Sequence, residues 1–271
     1  MAQNVLNSVL DFDIVSPACR RQGFKISKIM VEPILYNVFC CWAVFIAALI
    51  ASLNIFKHLK RDREAISFAW FWLLTALMWF LIGGRNLVFY FVGHTPLDRP
   101  WFLFTHILVI FPLTPIAYYI SWKVFASQKL SKWSAILFFV LGFVYLFFML
   151  KDGVRGPNVS IWGTKYALSY RTFFVFLVMY ISVYALGIYD LISRIIYWIK
   201  NRSLQNSYKF FTTLSIFIYG AGAYLDEKGT NVSWQLLLVR SFMMTAALMV
   251  YIIYTSEEIL SSVKQKNNKT R

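Results

Sequence analysis

The chain has 271 residues, of which 59% are hydrophobic, 19% aromatic and only 14% charged, against roughly 25% charged in an ordinary soluble domain. A soluble fold of this length could not hide so much apolar surface, whereas a bilayer solvates it. The net charge of +15 would point to nucleic acid in a soluble protein. Here the basic residues sit in short connectors between apolar runs, the pattern of membrane orientation and anionic headgroup contact, so nucleic acid is set aside as a partner.

Residues 1–33 form an N-terminal tail. Leu6, Val9, Leu10 and Ile14 recur at helical spacing ahead of Arg20, Arg21, Lys25 and Lys28, which suits either a short interfacial helix or a partly ordered tail. The tail lacks the basic-then-apolar layout of a cleaved signal peptide. The first apolar run, Ile34 to Phe56, carries no charge and includes Cys40 and Cys41, read as packing residues. A charged connector from Lys57 to Glu64 follows. The second run, Ile66 to Val92, is interrupted by Arg85 and Asn86. A Pro-containing turn leads to the third, Trp101 to Trp122, with Pro112 and Pro115 near its middle.

The fourth run is Trp133 to Leu150. The segment Lys151 to Tyr170, with Gly153, Gly156 and Pro157, reads as a loop. The fifth run is Thr172 to Ile199. The sixth, Phe210 to Leu225, is the shortest, and Gly220 and Gly222 mark either a close approach between helices or a flexible point. Asp226 to Val232 reads as a turn before the seventh run, Trp234 to Tyr254. Residues 257–271 are a polar, basic C-terminal tail. The predicted fold is therefore all-α: a polytopic membrane protein whose domain, residues 34–256, is a bundle of about seven transmembrane helices. Only helices satisfy their own backbone in lipid over runs with connectors this short. The connectors on one side hold more Lys and Arg than those on the other, which predicts the N-terminus outside and the C-terminus in the cytoplasm.

An ionisable residue inside a membrane run is costly and needs a reason. Helix direction and rise place Arg85, His106 and Arg240 at one depth, in the outer half of the bundle. Gly83-Gly84 beside Arg85 and Asn86, and Pro112 and Pro115 beyond His106, weaken helices around that level. Two readings stand. Arg85, Asn86, His106 and Arg240 line a cavity that binds an anionic or amphiphilic ligand or a lipid headgroup. Alternatively, Asp98, Asp152, Asp226 and Glu227 merely pair with the two arginines. Asp190 and Arg194, four apart, form a local ion pair. Asn158 and Asn231 head glycosylation-type triplets.

The histidines, His58, His94 and His106, lack the spacing of a metal site, so neither a metal nor another cofactor is expected, and no catalytic motif or residue set argues for an enzyme. The layout resembles both bacterial membrane sensor modules and small seven-helix sugar transporters, and carries no motif that decides between them. The leading expectation is a non-enzymatic, sensor- or receptor-like membrane module with the cavity above, in contact with membrane lipids. The alternatives are an accessory subunit of a larger membrane complex and, third, a small-solute transporter.

Overall fold

The computed structural model describes residues 28–59, 62–160, 162–228 and 233–256. The interfacial helix expected near residues 6–14, the Asn231 triplet and the C-terminal tail lie outside these residues. Eight helices and one hairpin follow in chain order: α1 Lys28–His58, α2 Arg63–Val92, α3 Asp98–Ile110, α4 Leu113–Phe125, α5 Gln128–Asp152, β1 Val154–Ser160, β2 Gly163–Leu168, α6 Tyr170–Lys200, α7 Leu204–Lys228 and α8 Ser233–Thr255. Because α3 and α4 run on as one rod, the bundle has seven rods. Six of them are long and apolar enough to cross a membrane, and the chain is an all-α, multi-pass membrane protein. The exception is α7, whose apolar stretch is shortened at both ends by polar residues, Gln205 and Asn206 at one and Asp226 and Glu227 at the other.

Local chemistry sets the helix boundaries. The Asp62 carboxylate caps α2, accepting from the backbone N–H groups of Glu64 at 3.0 Å and Ala65 at 3.2 Å. Ser127 and Ser169 cap α5 and α6 in the same way. Gly93 and Gly153, with φ of 79° and 70°, take the chain out of α2 and α5 in a conformation that favours glycine. The break between α3 and α4 has a simple cause. Pro115 has no N–H to give the Phe111 carbonyl, which accepts instead from Thr114 at 3.0 Å, one residue tighter than an α-helical bond.

The rods close into a ring. Each of α1, α2, the α3–α4 rod, α5, α6, α7 and α8 packs on the next, α8 returns to α1, and α4 also reaches α6 across the interior. The core between them is aromatic and aliphatic, with Phe68, Trp72, Trp79 and Tyr145 almost fully buried. Cys40 and Cys41 are buried packing residues. Conversely, α5 and α6 turn rows of large apolar side chains outward, among them Trp133, Phe143, Phe147, Ile181 and Ile192.

One expectation is corrected. The segment after α5 is not an irregular loop but an antiparallel hairpin, paired from Val154 with Leu168 to Ser160 with Gly163 and bulged between Arg155 and Asn158. The unpaired Gly156-Pro157 step falls within the bulge and interrupts the alternation by which a strand is recognised. Asn158 belongs to β1. The hairpin touches Asp98 at the start of α3, Asp226 at the end of α7 and Asn37 near the start of α1. It thus covers one end of the ring.

Gly220 is a close-approach point, as expected. A Cβ there would collide with the Tyr184 hydroxyl oxygen, which donates to the Ile216 carbonyl at 2.9 Å. Gly220→Ala should destabilise the protein by about 1–3 kcal/mol through overpacking, read as a lower thermal midpoint in detergent. Gly84→Ala, whose Cβ would meet Trp101 at 3.3 Å, should shift the midpoint less.

Candidate functional site

Beneath the hairpin lies a cavity of about 430 Å³, within the size range of small-molecule pockets. Arg85, Asn86, His106 and Arg240 all line it. Helix geometry brings together four residues from three separate runs, because α2 ends, α3 starts and α8 starts at the hairpin-covered end.

Arg85, His106 and Arg240 each have an acidic neighbour. Arg240 donates through Nη1 to Asp226 Oδ2 at 2.9 Å and through Nε to Asn37 Oδ1 at 2.9 Å, and its guanidinium lies 4.8 Å from the centre of the Trp79 ring. Arg85 donates to the Thr164 carbonyl at 2.5 Å, sits 3.6 Å from Asp98 and lies over the Phe102 ring. His106 Nδ1 is 2.9 Å from the Phe102 carbonyl, while Nε2 faces Glu227 Oε1 at 3.4 Å. The two sequence readings therefore merge: the arginines are paired, and they line a cavity. What the geometry does not give is an uncompensated basic pocket, since a bare guanidinium inside the bundle would cost several kcal/mol or more. Asp152 pairs elsewhere, with Arg171 at 3.9 Å.

Lys165, Tyr166 and Asn37 join the site without a signal in the sequence, and the acids meet Lys165 and Tyr166 as well as the arginines. Lys165 on β2 bonds both the backbone and the carboxylate of Asp226. Asp98 accepts from the Thr164 hydroxyl and the Tyr166 phenol, each at 3.0 Å. Burial, with the bond to Asp98 added, pushes the Tyr166 phenol up to about 12, so it stays a donor through any physiological pH. Asn37 gives its amide to the Trp162 carbonyl at 2.8 Å, fastening α1 to the hairpin tip. A signal for the acids was present. Asp226-Glu227 ends a helix, where the macrodipole disfavours carboxylates, so both needed partners.

Deeper in, the walls become apolar, with Phe71, Leu113, Ile116, Phe176 and Ile216. Trp79 Nε1 donates to the Tyr219 hydroxyl at 2.9 Å across this level. Pro112, at the helix break, also lines the space. At the polar end, three donors lack hydrogen-bond partners among the described residues. Arg85 Nε and Trp162 Nε1 are buried without one. Asn86, 2% exposed, makes no side-chain hydrogen bond. Gly163 packs against it so closely that a Cβ there would lie 2.8 Å from Asn86 Oδ1. No group of His, Cys, Asp and Glu among the described residues is arranged to hold a metal ion.

Comparison of the sequence with protein-family models and with curated proteins returns no match.

The far end of the ring carries its own charges. Arg194 Nε donates to Asp190 Oδ1 at 3.1 Å, the expected local pair, and Thr213 donates to the other carboxylate oxygen at 3.0 Å. Lys123 pairs with Glu64, joining α4 to α2.

Asp226→Asn leaves Arg240 and Lys165 without their carboxylate, and Arg240→Gln leaves Asp226 with Lys165 alone. Arg240→Gln or Asp226→Asn should each cost about 3 kcal/mol. The double variant should cost clearly less than the sum, a coupling that unfolding measurements in micelles would read directly.

Proposed function

We propose that this chain is a non-enzymatic, receptor-like membrane module that binds a small amphiphilic ligand in the cavity beneath the hairpin. The observation that carries the reading is the polar end of the cavity, where Asn86, Arg85 and the buried, unbonded Trp162 Nε1 line the space above an apolar shaft. Burying a donor without a partner costs about 1–3 kcal/mol, and a bound acceptor group would recover it. Such a ligand places its polar head under the hairpin and its apolar body toward Phe176 and Ile216. In this reading α7 is the seventh span, the outward rows of α5 and α6 contact lipid, the N-terminus lies outside and the C-terminus in the cytoplasm.

One observation favours a second reading, an accessory subunit of a membrane complex. Only 22% of the most apolar stretch of α5 is buried, and its outward Trp133, Phe143 and Phe147 are open to another chain as well as to lipid.

Two measurements test these proposals. Purification in lipid discs followed by mass spectrometry should recover an amphiphile with the wild-type chain, and at least about tenfold less with folded Asn86→Leu or Arg85→Gln, since each lost charge-assisted bond is worth about 1.5–3 kcal/mol. Recovery no greater than from empty discs would remove the ligand reading and leave the subunit reading first. For topology, Lys129→Cys and Arg155→Cys in a Cys19→Ser background should label from opposite faces of the membrane, with Arg155→Cys outside. Labelling from the same face would overturn the spans.

A further inference from the structure

The polar lining of the cavity is of two kinds, charged groups that are already engaged and an uncharged group that is not. Among the described residues the charged side chains lining it are Arg85, Lys165, Asp226, Glu227 and Arg240. Arg240 holds Asp226 at 2.9 Å, Lys165 reaches the same carboxylate at 3.4 Å, and Arg85 stands 3.6 Å from Asp98. Asp98 also has His94 at 4.0 Å and hydrogen bonds from Thr164 and Tyr166. Glu227 faces the ring of His106, with Oε1 3.4 Å from Nε2.

The uncharged group is the amide of Asn86, on α2 next to Arg85. It lines the cavity and is 2% exposed, yet it makes no hydrogen bond with any described residue. Gly163 packs against it, where a Cβ would lie 2.8 Å from Oδ1. The hairpin therefore backs the amide without bonding to it. An amide both donates and accepts, and one buried without a partner keeps a desolvation cost that nothing else in the chain offsets.

Head-group charge follows from this sorting. An anionic head would have to draw Arg85, Lys165 or Arg240 from the carboxylates they face, stranding an acid in a largely buried space. A cationic head drawn to Glu227 would come in beside Lys165 and Arg240, which meet on the adjoining Asp226. An uncharged head disturbs none of these pairs. A hydroxyl suits the free amide, since its one oxygen also both donates and accepts. The apolar body would then lie along Ile116, Phe176 and Ile216. A space of about 430 Å³ suits one chain rather than the two tails of a bilayer lipid.

We infer that the cavity selects an uncharged, single-chain amphiphile headed by a hydroxyl, which bonds to the amide of Asn86. This rests on the reading of the cavity as a ligand site and goes further by naming the head group, its charge and the residue that recognises it.

The test uses the full chain in discs of phosphatidylcholine. The probe is decanol with a photoreactive diazirine at the far end of its chain. Decanesulfonate, decylammonium and decane carrying the same diazirine are the anionic, cationic and headless counterparts, and peptide mass spectrometry locates the label. The expected result is labelling by the decanol probe around Phe176 and Ile216, about fivefold or more above every other probe, the worth of one hydrogen bond. Excess plain decanol should suppress it and excess dioleoylglycerol should not. Folded Asn86→Leu should bring the decanol probe down to the level of the decane probe, with decane labelling at least as strong as in wild type. A merely structural role for Asn86 would lower both or neither. Should Asn86→Leu not fold, the wild-type ranking of head groups decides alone. Cavity labelling by a charged probe or by decane that equals or exceeds that by decanol overturns the inference. So does decanol labelling that is unchanged in folded Asn86→Leu, or that falls there together with decane labelling. Suppression by dioleoylglycerol also overturns it and assigns the cavity to a bilayer lipid. Each of these results leaves the cavity as a ligand site, whereas cavity labelling by no probe overturns both.

Discussion

A guanidinium inside a membrane-spanning bundle needs a carboxylate, and meeting that need at Arg240 ties together four parts of this chain. Asp226 ends α7, Arg240 lies on α8, Asn37 on α1 accepts a second guanidinium bond, and Lys165 on the hairpin takes the same Asp226. The ring closes where α8 meets α1, so one polar cluster both seals that seam and anchors the cover over the bundle. Its worth lies less in net stability, since buried pairs offset their own desolvation, than in specificity. Any register that slid α7 or α8 by a turn would strand both charges.

The same constraint explains why the site is polar yet open. Arg85 is held by Asp98 at only 3.6 Å and by one backbone carbonyl, which leaves Nε without a hydrogen bond. Gly163 brings the hairpin down onto Asn86 without satisfying its amide. Structural pairing and a place in the cavity wall are thus not competing descriptions of these residues. The pairs reduce the cost of the charges to a level the fold tolerates.

Much of this was legible in the sequence, for physical reasons. Apolar runs longer than a bilayer needs cannot be mistaken, and the rise along each run placed Arg85, His106 and Arg240 at one depth before any contact was known. The hairpin was not legible, because the strand from Val154 to Ser160 contains Gly156 and Pro157 and is stabilised by what it covers rather than by its own propensity. Asn37 was overlooked as a lone polar residue in an apolar run. Asp226 and Glu227 read both as turn residues and as possible partners of the arginines; they lie at the end of α7, and it is Asp226 that meets Arg240 while Asp98 faces Arg85. Sequence spacing fixes which face and depth a residue occupies. It does not fix which acid on a distant helix meets it.

The two ends of the ring differ in a way that bears on mechanism. The cavity walls stop near Ile116 and Ile216. Below them come the buried rings of Phe68 and Trp72 and then a bonded layer, in which the Tyr208 and Tyr254 hydroxyls meet at 2.7 Å and Asp190 is satisfied by both Arg194 and Thr213. A solute crossing the bundle would have to part these rings and break these bonds together. A ligand entering under the hairpin would break none of them, and would instead recover hydrogen bonds that the empty site leaves unmade. That asymmetry sets the two ends of the ring apart. A signal from the cavity could still reach the far end along α7, which carries Glu227 beneath the hairpin and Thr213 against Asp190 about four turns away.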